Sequence, residues 1–251
     1  MFDHPLICVP KPNKNAKIQL FCFPYAGSGA SFFKSWSHKL SDKIEICIAA
    51  YPGREHRIKE KPILDVKVLL EELSVACIHH INRPFAIFGH SMGGIISYGL
   101  ARNLEKLNII PEYLFISACP PPTRHIDKNN ALSLLSEDEF IRIIVERYNA
   151  IPDIILKDKD LRAIFLPTLR TDISLEEQYV LAFDKDKDMP LDCNIVSFGG
   201  QQDSQVSDVA LNNWQSLTNR TFFTKIFPGD HFYLTEYQFL LLDTLREILL
   251  D

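Results

Sequence analysis

The sequence predicts an α/β fold with a mostly parallel central sheet, helices on both of its faces and an all-helical insertion. Three observations predict it. Apolar runs of strand length alternate with helical patterns from Lys17 to Pro122. The alternation resumes at Cys193 and continues to the end of the chain. Between the two, residues 123–188 hold helical patterns and no strand. A strand–helix alternation packs crossover helices against both faces of a parallel sheet, so its strands read as near-continuous apolar runs. The α/β core is therefore expected at 1–122 and 189–251, and the helical insertion at 123–188.

Residues 1–16, with three prolines, read as a loose lead-in. Lys17 to Phe23 is the first strand, closed by the small-residue loop Pro24–Ala30, and a helix is expected through Trp36 to Leu40. Ile44 to Ala50 is the second strand, ended by Tyr51-Pro-Gly-Arg54. Asp65 to Ile81 reads as a helix, with Val68, Leu69, Leu73, Ala76 and Cys77 on one face. Phe85 to Phe88 is a buried strand, and Leu100, Leu104 and Leu107 mark the helix after it. Glu112 to Ala118 is the next strand, stopped by Pro120, Pro121 and Pro122.

In the insertion, Ser136 to Tyr148 is helical, with Ser136 as its cap and three acids in the first turn. Asp158 to Leu166 and Ser174 to Phe183 read as two further short helices, and Asp184 to Asp188 as a solvated charged turn. The core resumes with the strand Cys193 to Phe198, which ends at Gly199-Gly-Gln-Gln-Asp203. A helix follows around Ser207 to Leu217, then the last strand, Thr221 to Phe227, ending at Pro228-Gly-Asp-His231. The final helix, Glu236 to Leu250, carries Leu241, Leu245, Ile248 and Leu249 on one face.

A length of 251 residues suits one domain with an insertion. The net charge of −5 and the absence of a long basic stretch point away from nucleic acid. Six cysteines without a C-x-x-C pair, most of them in apolar runs, read as free core thiols in a reducing cytoplasm. The N-terminus shows no secretory signal, and no apolar run approaches the ~20 residues of a membrane span, so no stable membrane insertion is expected. His79 and His80 end a helix without partners at metal-ligand spacing, and neither a metal nor a cofactor is expected.

The chemistry-bearing stretch is Gly89-His-Ser-Met-Gly93, which fits G-x-S-x-G between a strand and a helix. That context is the one a nucleophile elbow requires. The tight turn lifts the Ser91 hydroxyl above the sheet edge and sets the Met92 N–H at a helix N-terminus, where it can stabilise an oxyanion. A serine hydroxyl needs a base, and the base a carboxylate to hold its tautomer. His231 follows the last strand, where an imidazole can swing over the sheet edge. Asp203 follows a strand and a glycine pair, with Asp208 and Asp230 as rival acids. Ser91, Asp203 and His231 keep the α/β-hydrolase chain order of serine, acid and histidine. The second oxyanion amide is expected from the loop after the first strand, at Ala26.

Six segments carry a closer resemblance: Phe23-Pro-Tyr-Ala-Gly27, Tyr51-Pro-Gly-Arg-Glu55, Gly89-His-Ser-Met-Gly93, Leu166-Pro-Thr-Leu-Arg-Thr-Asp172, Gly200-Gln-Gln-Asp203 and Pro228-Gly-Asp-His-Phe232. With these the chain resembles the type II thioesterases that accompany nonribosomal peptide and polyketide synthases. The resemblance implies an α/β-hydrolase fold with a helical lid at 123–188. It also implies hydrolysis of acyl groups from the phosphopantetheine arm of acyl- or peptidyl-carrier proteins, clearing stalled or misloaded chains. Carried over by position, Ser91 is the nucleophile, Asp203 the acid and His231 the base, while Met92 and Ala26 supply the oxyanion amides. One departure is Ala26-Gly-Ser-Gly-Ala30, where the family more often has Ala-Gly-Gly-Ser-Ala.

Carrier proteins of the family are usually acidic and this chain is net negative, so docking is expected to rest on local apolar or basic patches. Arg170 and Asp172 are expected to pair within the lid. Two rival functions share the residues: a free-standing esterase or lipase on oxygen esters, and a non-catalytic hydrolase-fold binding protein.

Overall fold

The computed structural model describes residues 4–148, 151–184, 187 and 189–250. The expected charged turn at 184–188 falls partly outside them, at 185, 186 and 188. The core is a seven-stranded sheet: β1 (Ile7–Cys8), β2 (Ile18–Phe23), β3 (Ile44–Ala49), β4 (Phe85–His90), β5 (Tyr113–Ser117), β6 (Asn194–Gly200) and β7 (Phe222–Phe227). Their spatial order is β1-β3-β2-β4-β5-β6-β7. Every pairing is parallel except that of β1, which runs antiparallel to β3 and makes an edge strand of part of the expected lead-in.

Alternation along each central strand feeds two cores. Phe21, Phe23 and Ile87 face one hydrophobic cluster, while Leu20, Cys22, Ala86 and Phe88 face the other. In chain order the helices are α1 (Ser31–Lys34), α2 (Trp36–Lys39), α3 (Val66–His80), α4 (Met92–Glu105), α5 (Glu137–Tyr148), α6 (Asp153–Lys157), α7 (Lys159–Ala182), α8 (Asp208–Asn212), α9 (Tyr233–Glu236) and α10 (Gln238–Leu250). α3 and α4 close the first cluster; α1, α2, α9 and α10 close the second. In α3, Leu69, Leu73, Ala76 and Cys77 are buried as expected, but Val68 is 44% exposed and lies off the buried face. All six cysteines are free thiols. Among the described residues no helix is long and apolar enough to cross a membrane.

Between β5 and β6 the named elements among the described residues are helices and 3₁₀ turns, and the one bridge is the isolated Leu191 to Thr218 pairing just before β6. Ser136 caps α5 reciprocally: its Oγ accepts the Glu139 N–H and donates to Glu139 Oε2. The expected pair of short helices at 158–166 and 174–183 is a single helix, the 24-residue α7, with Pro167 inside it. Proline removes one intrahelical donor. Here Leu166, Leu169, Ile173, Leu175 and Val180 are buried along the same helix, and tertiary packing holds it through the break. Phe140, Ile144, Ile151, Leu166, Leu169 and Ile173 form a separate small core between these helices. Ile154, another apolar residue of the insertion, is 66% exposed. Near the C-terminus the expected 207–217 helix is α8 followed by a 3₁₀ stretch, Asn213–Leu217.

Candidate active site

The carboxyl ends of β2, β4, β6 and β7 lie along one sheet edge, because the strands are parallel and in register: Phe23 pairs with Gly89, His90 with Ser117, and Gly200 with Phe227. The loops that follow β2, β4, β6 and β7, with the first residue of α4, carry Ala26, Ser91, Met92, Asp203 and His231.

Ser91 joins β4 to α4 with φ 52° and ψ −122°, a strained setting for a residue with a side chain. Its N–H is tied to Ser117 O at 2.8 Å. The flanking glycines are required by close backbone approach: a Cβ on Gly89 would sit 2.0 Å from Gly93 O, and one on Gly93 2.2 Å from Phe23 O. Neither contact can be relieved by a side-chain rotation. Gly93→Ala should therefore cost about 3 kcal/mol, read as a fall of roughly 10 °C in Tm.

His231 Nε2 lies 3.2 Å from Ser91 Oγ, and His231 Nδ1 lies 2.9 Å from Asp203 Oδ2. The second carboxylate oxygen of Asp203 accepts the N–H groups of Gln205 at 2.8 Å and Val206 at 3.1 Å, which fixes the plane of the carboxylate. The loops bearing acid and base are laced together. Gln201 N–H donates to Phe227 O, Gln202 N–H to Gly229 O, and Gly229 N–H back to Gln202 Oε1. Of the rival acids, Asp208 begins α8 in an exposed position, and Asp230 Oδ1 accepts the Phe232 N–H at 2.8 Å. Ser207, not Asp208, caps α8, Asp230 serves its own turn, and Asp203 is the carboxylate on the imidazole.

Met92 opens α4, so its N–H has no acceptor within the helix. Ala26 lies in a turn closed by Ser28 N–H on Tyr25 O at 3.0 Å. Ser91, His231 and Ala26 share a cavity of about 420 Å³. Tyr25 and Phe232 complete its core-side wall; Leu132, Leu135, Ile144, Tyr148, Leu169 and Ile173 line the helical side, with Arg124, Asp127, Arg147, Glu176 and Glu177 as its charged members. The Tyr148 ring packs 5.0 Å from the His231 ring, and burial pushes its phenol up to about 12. Among the described residues no cluster of His, Cys, Asp and Glu is arranged to hold a metal ion.

His90 turns away from the cavity into the sheet edge. Its Nδ1 is 2.8 Å from Ser117 Oγ, which is 2.6 Å from Tyr233 OH, and its Nε2 is buried without a hydrogen-bond partner. Burial, reinforced by nearby His231, holds this imidazole well below the usual histidine range, so it is neutral. In the unfolded chain it titrates near ~6.5, so below that pH the unfolded state binds the extra proton. Stability should thus fall as the pH drops below about 6.5, with a slope of up to about 1.4 kcal/mol per pH unit from this group. His90→Asn should flatten the slope in denaturant titrations at pH 5 to 7 by about that amount.

One expected pair is corrected. Arg170 and Asp172 do not pair with each other. Arg170 Nη1 donates to Ser133 O at 2.8 Å and Leu135 O at 2.7 Å, and its guanidinium lies over the Phe140 ring. Asp172 points the other way on α7, to Arg54 in the loop after β3, with two bonds of 2.6 Å. The α-helical repeat of about 3.6 residues per turn explains the divergence, since positions two apart face opposite sides. Tyr51-Pro-Gly-Arg54 and Leu169-Arg-Thr-Asp172 both stand out in the sequence, but nothing local says that they meet.

The chain matches the family model described as "Thioesterase domain" over residues 18–249. It is 39% identical over 228 residues to the gramicidin S biosynthesis protein GrsT of Aneurinibacillus migulanus, a match that covers 90% of this chain and 87% of that one. Among solved structures it is similar to the type II thioesterase BorB from the borrelidin biosynthetic cluster, with TM-score 0.81, 29% identity, and 96% and 94% of the two chains covered. It is similar also to ClbQ from the colibactin NRPS/PKS pathway, with TM-score 0.83, 31% identity, and 92% and 96% covered. The family match spans β2 to β7, the helical segment and all four loops of the site, so the chain belongs to the thioesterase family as a serine hydrolase of thioesters, with type II thioesterases of peptide and polyketide biosynthesis among its relatives.

Proposed function

We propose that this enzyme hydrolyses acyl groups from the phosphopantetheine arm of acyl- or peptidyl-carrier proteins, clearing stalled or misloaded chains, through an acyl-Ser91 intermediate. The observation that carries the proposal is the continuous chain Asp203–His231–Ser91 opening on a partly apolar cavity. His231 Nε2 takes the Ser91 proton as Oγ attacks the thioester carbonyl carbon. The carbonyl oxygen becomes an oxyanion, held by the Met92 and Ala26 amides. The C–S bond breaks as the tetrahedral centre collapses, and His231 returns the proton to the leaving thiolate. A thiol near pKa ~8.5 leaves more readily than an alcohol. Water, deprotonated by His231, then hydrolyses the Ser91 ester and restores the hydroxyl. No step calls for a metal or a cofactor of the enzyme's own; the pantetheine belongs to the substrate.

The helical segment acts as the lid and supplies the acyl wall. Leu135→Trp should narrow that wall, lowering kcat/KM for the longest acyl chain accepted by about tenfold or more while sparing acetyl. The reading as a whole is tested by turnover on acyl-holo-carrier protein against an oxygen ester of matched acyl length. A strong preference for the oxygen ester would make the protein a carboxylesterase instead. Failure of Ser91 to react with a fluorophosphonate would make it a binding protein.

A further inference from the structure

We infer that Asp172, on the helical segment, and Arg54, on the core, are positioning residues for the oxyanion loop, so that catalytic competence requires α7 to be seated on the core. The inference rests on the acyl-transfer reading above, in that Ala26 is taken as an oxyanion donor. Ala26 lies in a four-residue turn, Tyr25–Ser28, whose third residue, Gly27, has φ +78°. A positive φ at that place with a closing bond from the fourth N–H to the first C=O is the type II pattern. In such a turn the central peptide, here Ala26–Gly27, is the one that can flip.

That peptide is gripped from across the fold. Asp172 Oδ2 accepts the Gly27 N–H at 2.8 Å. Arg54 Nη1 reaches the same Asp172 oxygen at 2.6 Å and also donates to Ser28 O at 2.9 Å, while Nη2 holds Asp172 Oδ1 at 2.6 Å. One ion pair thus holds the N–H at the turn's centre and the carbonyl at its end. The Gly27 N–H is taken by the carboxylate, and it is the first half of the turn, Tyr25 and Ala26, that borders the Ser91 cavity.

The pair is poorly explained as a device for stability. Both side chains are almost fully buried, at 9% and 1% exposure, and Arg54 Nε has no hydrogen-bond partner. Burying two charges costs desolvation that their attraction returns only when every polar atom is satisfied, and apolar pairs of similar volume often serve the fold equally well. What an apolar pair cannot do is hold an amide and a carbonyl of a neighbouring turn. The pair also links chemistry to acyl binding. Ile173, next to Asp172 on α7, and Leu169 and Glu176, about one turn either side of it, line the cavity wall. A displaced α7 would therefore release both the acyl wall and the oxyanion loop.

The test separates fold from positioning by replacing both charges together. Arg54→Met with Asp172→Leu should fold with Tm equal to or above that of the wild type. Its kcat on p-nitrophenyl butyrate should fall about 10²-fold with KM little changed, because the donor lost acts on the transition state. A trifluoromethyl ketone inhibitor, which adds Ser91 Oγ and presents an oxyanion, should weaken by a similar factor. Should the double variant not fold, Asp172→Asn reads the same three quantities and is expected to lose kcat in the same direction. A folded variant of either kind with kcat and inhibitor affinity within about twofold of wild type overturns the inference, as does a loss confined to KM. The ester assay keeps the result independent of the carrier-protein reading: wild type that cleaves the ester but no carrier thioester would defeat the proposed function and leave the positioning role scored.

Discussion

Ser91→Ala should lower turnover by about 10⁶-fold, on the scale seen when the nucleophile of a serine hydrolase is removed. The size follows from geometry. Ser91 Oγ is the atom His231 Nε2 faces at 3.2 Å, and alanine leaves an imidazole with nothing to deprotonate but water. The substitution should be silent for the fold. The hydroxyl makes no helix cap at the start of α4, and the strained φ of 52° is imposed by the elbow, not by the side chain. Thermal melting within a few degrees of wild type, together with loss of fluorophosphonate labelling and of thioester turnover, is the expected set. Substantial hydrolysis by the folded variant would falsify the acyl-enzyme route.

Asp203→Asn should cost about 10⁴-fold in kcat, the effect of presenting a histidine base in the wrong tautomer. The carboxylate accepts three bonds: the imidazole on Oδ2 and the Gln205 and Val206 amides on Oδ1. Asparagine has one acceptor oxygen. The two backbone donors bind it, so the amide nitrogen is turned toward His231 Nδ1. A donor there forces Nδ1 to be the bare nitrogen and Nε2 to carry the proton, which leaves no base facing Ser91. Steady-state assays on the variant should show the loss in kcat with KM nearly unchanged. Asp230→Asn, whose carboxylate accepts the Phe232 amide and faces its own turn, should stay within about threefold of wild type. Equal losses in the two variants would sink the assignment of the acid.

How much of this was legible in the chain depended on distance along it. The elbow could be read from five residues, because strand, glycine, serine, glycine and helix onset are all local constraints. Asp203 and His231 could be read from their places after β6 and β7, since parallel strands deliver their following loops to a common edge. The helical segment was legible in kind but not in detail. The two short helices expected at 158–166 and 174–183 are one, because buried Leu166, Leu169 and Ile173 carry α7 through Pro167. Val68 fits a plausible apolar face of α3 and still lies in solvent, because the sheet and α4, not the helix, decide which stripe is covered.

The clearest limit is Asp172. Its partner is 118 residues away, on the far side of the nucleophile in sequence. Opposite charge and nearness in sequence pointed to Arg170 as its mate, and helical geometry turns the two apart. Periodicity, turn chemistry and strand order are short-range properties, and they were enough to set the architecture and to name a nucleophile, a base and an acid. The orientation of the turn that holds Ala26 was not among them. It depends on a carboxylate from α7, a guanidinium from the loop after β3 and a glycine amide after β2 meeting in one buried spot, and that meeting exists only once the sheet has formed and the helical segment has packed upon it.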